Sequence, residues 1–148
     1  MIMPVSNVDI ESLIPHRYRI KMISAVLEIT PESAVAEAIV KPDWPLCNGN
    51  AVNQIALIEI VAQTAAAIDG YKRKKQGKPG GKGWLVGVKN AQFNVAEISV
   101  GTRLIASVSN SYSFDNYSVI KGTVKAGEEV LAVIVLQALR MNEDPTSD

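Results

Sequence analysis

Residues 55–68 read I-A-L-I-E-I-V-A-Q-T-A-A-A-I, and only Glu59, Gln63 and Thr64 among them are polar. A helix that is apolar on nearly every side has to be wrapped by protein, and this run falls short of the ~20 residues that span a bilayer. Residues 51–75 are therefore expected to form one long helix inside the core. Glu59 and Gln63 stand four apart and share a face of it, while Ala56, Ala62, Ala66 and Gly70 leave room for other backbone to come close. A carboxylate inside such a helix is costly unless it is paired or neutralised. That makes Glu59 the first functional candidate.

The rest of the chain has to supply the wrapping. At 148 residues it makes one domain with a real core, assigned to residues 1–141 with a disordered tail at 142–148. Period-2 patterning predicts strands from about residue 20 to 29 and over 33–40, separated by a T-P-E-S turn. A short helix over 7–13 precedes them, ended by Pro15. Residues 41–50 hold Pro42, Trp44, Pro45, Cys47 and Gly49, a composition that reads as an irregular loop. Beyond the helix come four more strands, at 84–95 with a bulge at Lys89 and Asn90, 103–112, 117–125 and 130–140. The last, V-L-A-V-I-V-L-Q-A-L, is apolar on both faces and belongs inside the sheet. One helix buried on almost all sides by such strands implies a curved antiparallel sheet around it, with a second subunit as the cover. This α+β arrangement is the hotdog fold, usually built as a dimer.

Charge narrows the function classes. Lys+Arg and Asp+Glu number 15 each, so no global field steers the chain to nucleic acid or membrane. The basic residues are clustered: residues 72–82 carry six and no acid, which leaves nine basic against 15 acidic elsewhere. Cations at a helix C-terminus complement its dipole, so a solvated helix end is one reading of Lys72, Arg73, Lys74 and Lys75. A docking patch for an acidic partner is the other. Nucleic-acid binding is not supported, because no aromatic residues are interleaved with these charges. Cys47 is the single cysteine and suits a reducing compartment; with no signal-peptide pattern at the N-terminus, a cytoplasmic location is expected. One histidine excludes a multi-histidine metal site within a subunit, and no cofactor is expected.

Four segments in register resemble a known family. I-P-H-R-Y-R-I-K-M-I-S-A-V-L-E-I, I-A-L-I-E-I-V-A-Q-T, W-L-V-G-V-K-N-A-Q-F-N and I-S-V-G-T-R-L are similar to the 3-hydroxyacyl-[acyl-carrier-protein] dehydratases of fatty-acid synthesis. The matches run from about residue 10 to 140. The family's catalytic histidine sits in a G-H-F-P-G segment before the helix glutamate; here the corresponding stretch, W-P-L-C-N-G-N-A-V-N-Q, is shorter and has none. In this the chain looks closest to the variant dehydratases of aryl-polyene and similar polyketide-type pathways, which keep L-I-P-H, a shortened loop and G-I-E-x-x-A-Q.

The resemblance implies a dehydratase acting on 3-hydroxyacyl thioesters held by an acyl carrier protein, with Glu59 and His16 handling protons. Removing water needs a base for the C2 proton and an acid for the leaving hydroxyl, and a glutamate in an apolar pocket has its acid form favoured. Each candidate also has a plainer reading. Glu59 would be a buried carboxylate holding a dimer in register, and His16 a surface histidine after a helix stop. Asn50 and Asn53 (with Asn48) stand beside Cys47 where the histidine is missing; their amides suit a thioester carbonyl or simply form turns. Gln63 would orient Glu59 or satisfy buried backbone. Cys47 has no base near it in sequence to make it a nucleophile. Two other functions fit the same fold: a non-catalytic hotdog subunit that binds acyl chains or completes a heterodimer whose partner carries the missing histidine, and a thioesterase in which Glu59 activates water. The expected assembly is a homodimer or a heterodimer with another hotdog subunit.

Overall fold

The computed structural model describes Ile10, residues 21–77 and residues 84–140. Apart from Ile10, which is helical and buried, the expected short helix over 7–13 lies outside the described residues, as does the expected tail at 142–148. Strand β1 (Ile23–Ile29) turns into β2 (Ser33–Ile39) where Thr30 holds the hairpin. Its Oγ1 accepts the N–H groups of Glu32 (3.1 Å) and Ser33 (2.9 Å). Along β2 the small residues Ala34, Ala36 and Ala38 point inward and are buried, so the helix can lie close.

That helix, α1, spans Ala56–Lys75. It packs against β1, β2, β7 (Arg103–Phe114), β8 (Tyr117–Ala126) and β9 (Glu129–Arg140). Gly122 on β8 sets the closest approach: a Cβ built there would stand 2.5 Å from Val61 Cγ1. Any side chain would push helix and sheet apart. Gly122→Ala is therefore expected to lower stability by about 1–3 kcal/mol through overpacking, read as a fall of several degrees in Tm.

The main sheet is antiparallel, in the order β1-β2-β7-β8-β9-β5, with β5 at Trp84–Phe93. It is the hotdog arrangement expected from the sequence. β9 lies between β8 and β5, as its two apolar faces required, and the β5–β9 register shifts between Val88 and Asn90, where the bulge was expected.

Two expectations are corrected. Residues 51–53 are not the first turn of the helix but a strand, β4 (Ala51–Asn53), and the loop before it contains β3 (Cys47–Asn48). Together with β6 (Glu97–Ser99) they form a second, three-stranded sheet. Val52 is paired with Ile98 and fully buried; tertiary pairing overrides the local helical pattern there.

The helix is not wrapped on every side. Ile58, Glu59, Ala62 and Ala66 form a stripe that is only half-buried. At the β5 edge, Val86 and Val88 are paired with the buried Ala138 and Leu136 and so share the helix-facing side of the sheet. Both are nonetheless 47% exposed. One long face of the subunit is apolar and uncovered.

Candidate active site

Chain entry into α1 is built from short-range bonds. Asn53 Oδ1 accepts the Ile55 N–H (2.9 Å), an Asx turn that delivers the chain to the helix. Two of the first helical N–H groups are already used, with Leu57 donating to Gln54 and Ile58 to Ile55, both at 3.0 Å. Those two are not available to a substrate carbonyl in this arrangement. One turn further on, Glu59 emerges on the half-buried stripe.

Its carboxylate is held from behind. Gln63 is fully buried and donates from Nε2 to Glu59 Oε1 (3.2 Å). The other end of the Gln63 amide is anchored by β1 and the residue before it. Oε1 accepts the N–H of Met22 (2.8 Å) and, at 3.4 Å, that of Ile23. Two backbone donors on one atom fix which end of the amide is oxygen. The nitrogen end therefore points to Glu59. Of the two sequence readings of Gln63, orienting the glutamate and satisfying buried backbone, the geometry contains both.

Glu59 lines a cleft of about 340 Å³ together with Met22, Pro45, Leu46, Ile55 and Ile58. Every one of those neighbours is aliphatic or a thioether. Within this described lining Glu59 is the one group that can exchange a proton. A hydrocarbon segment fits such walls, with a single acid–base group at one point along it.

The other described sequence candidates fall elsewhere. His16 lies outside the described residues. Asn53 spends its side-chain oxygen on the helix entry, Asn50 sits exposed in the β3–β4 turn with its carbonyl accepting the Val100 N–H (2.8 Å), and Cys47 Sγ stands 3.7 Å from the Gly49 carbonyl. None of these three is in the cleft lining. At the far end of α1, Arg73 is buried at 6% exposure and cannot serve as a surface docking residue. Lys72 is half-buried and paired with Glu32 (3.6 Å), while Lys74 and Lys75 are exposed.

The sequence reading missed the cleft walls: Met22, Pro45, Leu46, Ile55 and Ile58. It also missed an ion pair between the buried Asp69 and the partly exposed Arg140, which ties the end of β9 to α1 beside a small cavity of about 100 Å³. Ten residues separate Asp69 from Glu59, about 15 Å along a helix. The ion pair is a tether, remote from the cleft.

Comparison with known proteins now adds a family. The family described as ApeP-like, ApeP dehydratase, matches residues 8–147. The chain belongs to that family. Curated relatives agree with that assignment. The 3-hydroxyacyl-[acyl-carrier-protein] dehydratase FabZ of Rhizobium leguminosarum bv. trifolii is 30% identical over 140 residues, covering 86% of this chain and 88% of that protein. Among solved structures, the dehydratase heterocomplex ApeI:P from Xenorhabdus doucetiae superposes with a TM-score of 0.84 at 16% identity, over 92% of this chain and 93% of that one. A hypothetical thioesterase protein from Streptococcus pneumoniae, solved with coenzyme A, is more distant, with a TM-score of 0.58 at 8% identity over 80% of this chain and 85% of that one. At such identities the structural likeness speaks for the fold alone. The dehydratase assignment rests on the family and its sequence relatives. No helix among the described residues is long and apolar enough to cross a membrane.

Proposed function

We propose that this chain is a dehydratase subunit that removes water from 3-hydroxyacyl thioesters carried on an acyl carrier protein, and that Glu59 is its catalytic carboxylate. The observation that carries the reading is the Glu59–Gln63 pair at the wall of an aliphatic cleft. In the reaction the C2–H bond breaks and its proton goes to a base. Its electron pair becomes the C2=C3 double bond, and the C3–O bond breaks as the hydroxyl takes a proton and leaves as water. Glu59 in its acid form donates that proton and is reprotonated from the base, which resets the site. Acid and base are two roles, and the described cleft supplies one group.

The second group comes from His16 or from another chain. The uncovered face supports a partner. The half-buried stripe of Ile58, Ala62 and Ala66 and the exposed Val86 and Val88 of β5 offer an apolar surface suited to a second hotdog subunit. We read that subunit as one carrying a histidine to face Glu59, in a heterodimer, in keeping with the ApeI:P heterocomplex of Xenorhabdus doucetiae. Lys74 and Lys75 remain the proposed docking patch for the acidic carrier protein. The single cysteine fits a cytoplasmic setting.

The test is intact-mass analysis of a 3-hydroxyacyl carrier protein incubated with this chain alone, with a histidine-bearing hotdog subunit alone, and with both. Loss of the mass of one water only when both are present is the expected result. Release of the free carrier thiol would instead make the chain a thioesterase. No change under any condition, with the two chains shown to assemble, would reduce it to a non-catalytic acyl-binding subunit.

A further inference from the structure

The turn leading into β3 holds a residue of the wrong type for its conformation. Trp44 to Cys47 form a β-turn, closed by the Cys47 N–H donating to the Trp44 carbonyl (3.2 Å). Pro45 occupies its second position with φ fixed near about −65° by the ring. Leu46 in the third position has φ 68°. This is the pattern of a type II turn, whose third position ordinarily takes glycine or asparagine because a Cβ is crowded there. Three residues later the chain uses Gly49 at the same φ of 68°, in open space. Where only the turn matters, the sequence supplies glycine. At 46 it supplies a leucine, with the strain that entails.

Core packing does not offset that strain. Leu46 is 53% exposed, and its side chain stands in the wall of the Glu59 cleft. Ile55, also in the cleft lining, is likewise 52% exposed. A strained backbone that persists at a ligand-facing position is a reason to look for function there. Because the described residues of the wall offer hydrocarbon and, among their side chains, no hydrogen-bonding group besides Glu59, what Leu46 meets is the alkyl part of a ligand.

We propose that Leu46 is a specificity-determining residue, a hydrocarbon lip against which the acyl chain of the thioester packs as it passes Glu59, so that extended chains are held better than short ones. The identity of the ligand as an acyl thioester rests on the dehydratase reading; the role of the lip does not require that water be eliminated.

The experiment uses saturated thioesters, which carry no hydroxyl and cannot react. Butyryl-pantetheine and dodecanoyl-pantetheine are titrated calorimetrically into the full chain, assembled with its partner subunit, for the native protein and the variants Leu46→Gly, Leu46→Asn and Leu46→Met. Thermal melts are run in parallel. Glycine and asparagine accept the positive φ without the apolar side chain, so both variants should keep or raise Tm. In both, affinity for the dodecanoyl thioester should fall about tenfold, the effect of losing roughly two buried methylenes, with the butyryl affinity changed by less than about twofold. Leu46→Met keeps an apolar lip and should bind like the native protein.

Unchanged dodecanoyl affinity in the glycine and asparagine variants would overturn the proposal, as would equal losses for the two thioesters or a native protein that binds neither. A lower Tm in both variants with affinity unchanged would make Leu46 a purely structural residue and overturn it as well. The failure of the functional reading looks different: the chain-length-dependent loss would be seen, while no 3-hydroxyacyl carrier protein is dehydrated.

Discussion

Glu59→Gln should leave the subunit folded and assembled yet slow formation of the 2-enoyl product by about 10³-fold, within the range of about 10²–10⁴ typical of a removed acid–base group. The substitution is close to isosteric. The carbonyl oxygen of the introduced amide can still accept the hydrogen bond that Gln63 Nε2 now gives to Glu59, so the anchor on β1 is undisturbed. What is lost is the ability to release and regain a proton. The amide fits the same place among Met22, Pro45, Leu46, Ile55 and Ile58, so Tm should stay close to that of the native subunit. Steady-state rates on a 3-hydroxyacyl carrier protein, taken beside a thermal melt, check both halves. A variant as active as the native subunit would remove Glu59 from the chemistry.

How much of this was legible in the sequence depended on the range of the forces involved. The 14-residue apolar run and the period-2 segments around it are repeated signals, and repetition is what makes a helix or a strand readable. They located the body of α1, the strands of the main sheet to within a few residues, and the interior position of β9. The signal failed where elements are two or three residues long. β3, β4 and β6 contain too few residues to show a period, and the apolar Ala51 and Val52 looked like a helical lead-in because the partner of Val52, Ile98, is more than 40 residues away.

Site residues divide along the same line. Glu59 and Gln63 were readable because a helix places residues four apart on one face. That Met22 would reach back to Gln63 required the tertiary fold, as did the pairing of Asp69 with Arg140. Asn53 followed its plainer reading and became a turn former. Leu46 could not be found by rule at all. Proline followed by leucine does not announce a positive φ, since a type II turn is recognised by the glycine this one lacks.

Gln63→Leu is expected to damage stability and catalysis together, and the two effects separate by cause. Leucine fills a similar volume but accepts nothing, so the Met22 N–H, now bonded at 2.8 Å to a fully buried Gln63, is left without that partner. An unsatisfied buried donor costs about 1–3 kcal/mol, which for a chain of this size is a fall in Tm of about 3–10 °C. The second effect is on the carboxylate. Without the Nε2 donor, the Glu59 carboxylate loses the bond from Gln63 that helps set its angle, and misplacing a reacting group by about 1 Å can cost up to about 10²-fold in rate. Gln63 itself does not touch the substrate, so kcat should fall by about 10-fold or more while KM changes little. A purely structural role would lower Tm and the amount of active subunit but leave kcat per active site unchanged. That result, obtained by active-site titration below the variant's melting range, would leave Gln63 as a strand anchor and assign the orientation of Glu59 to other contacts.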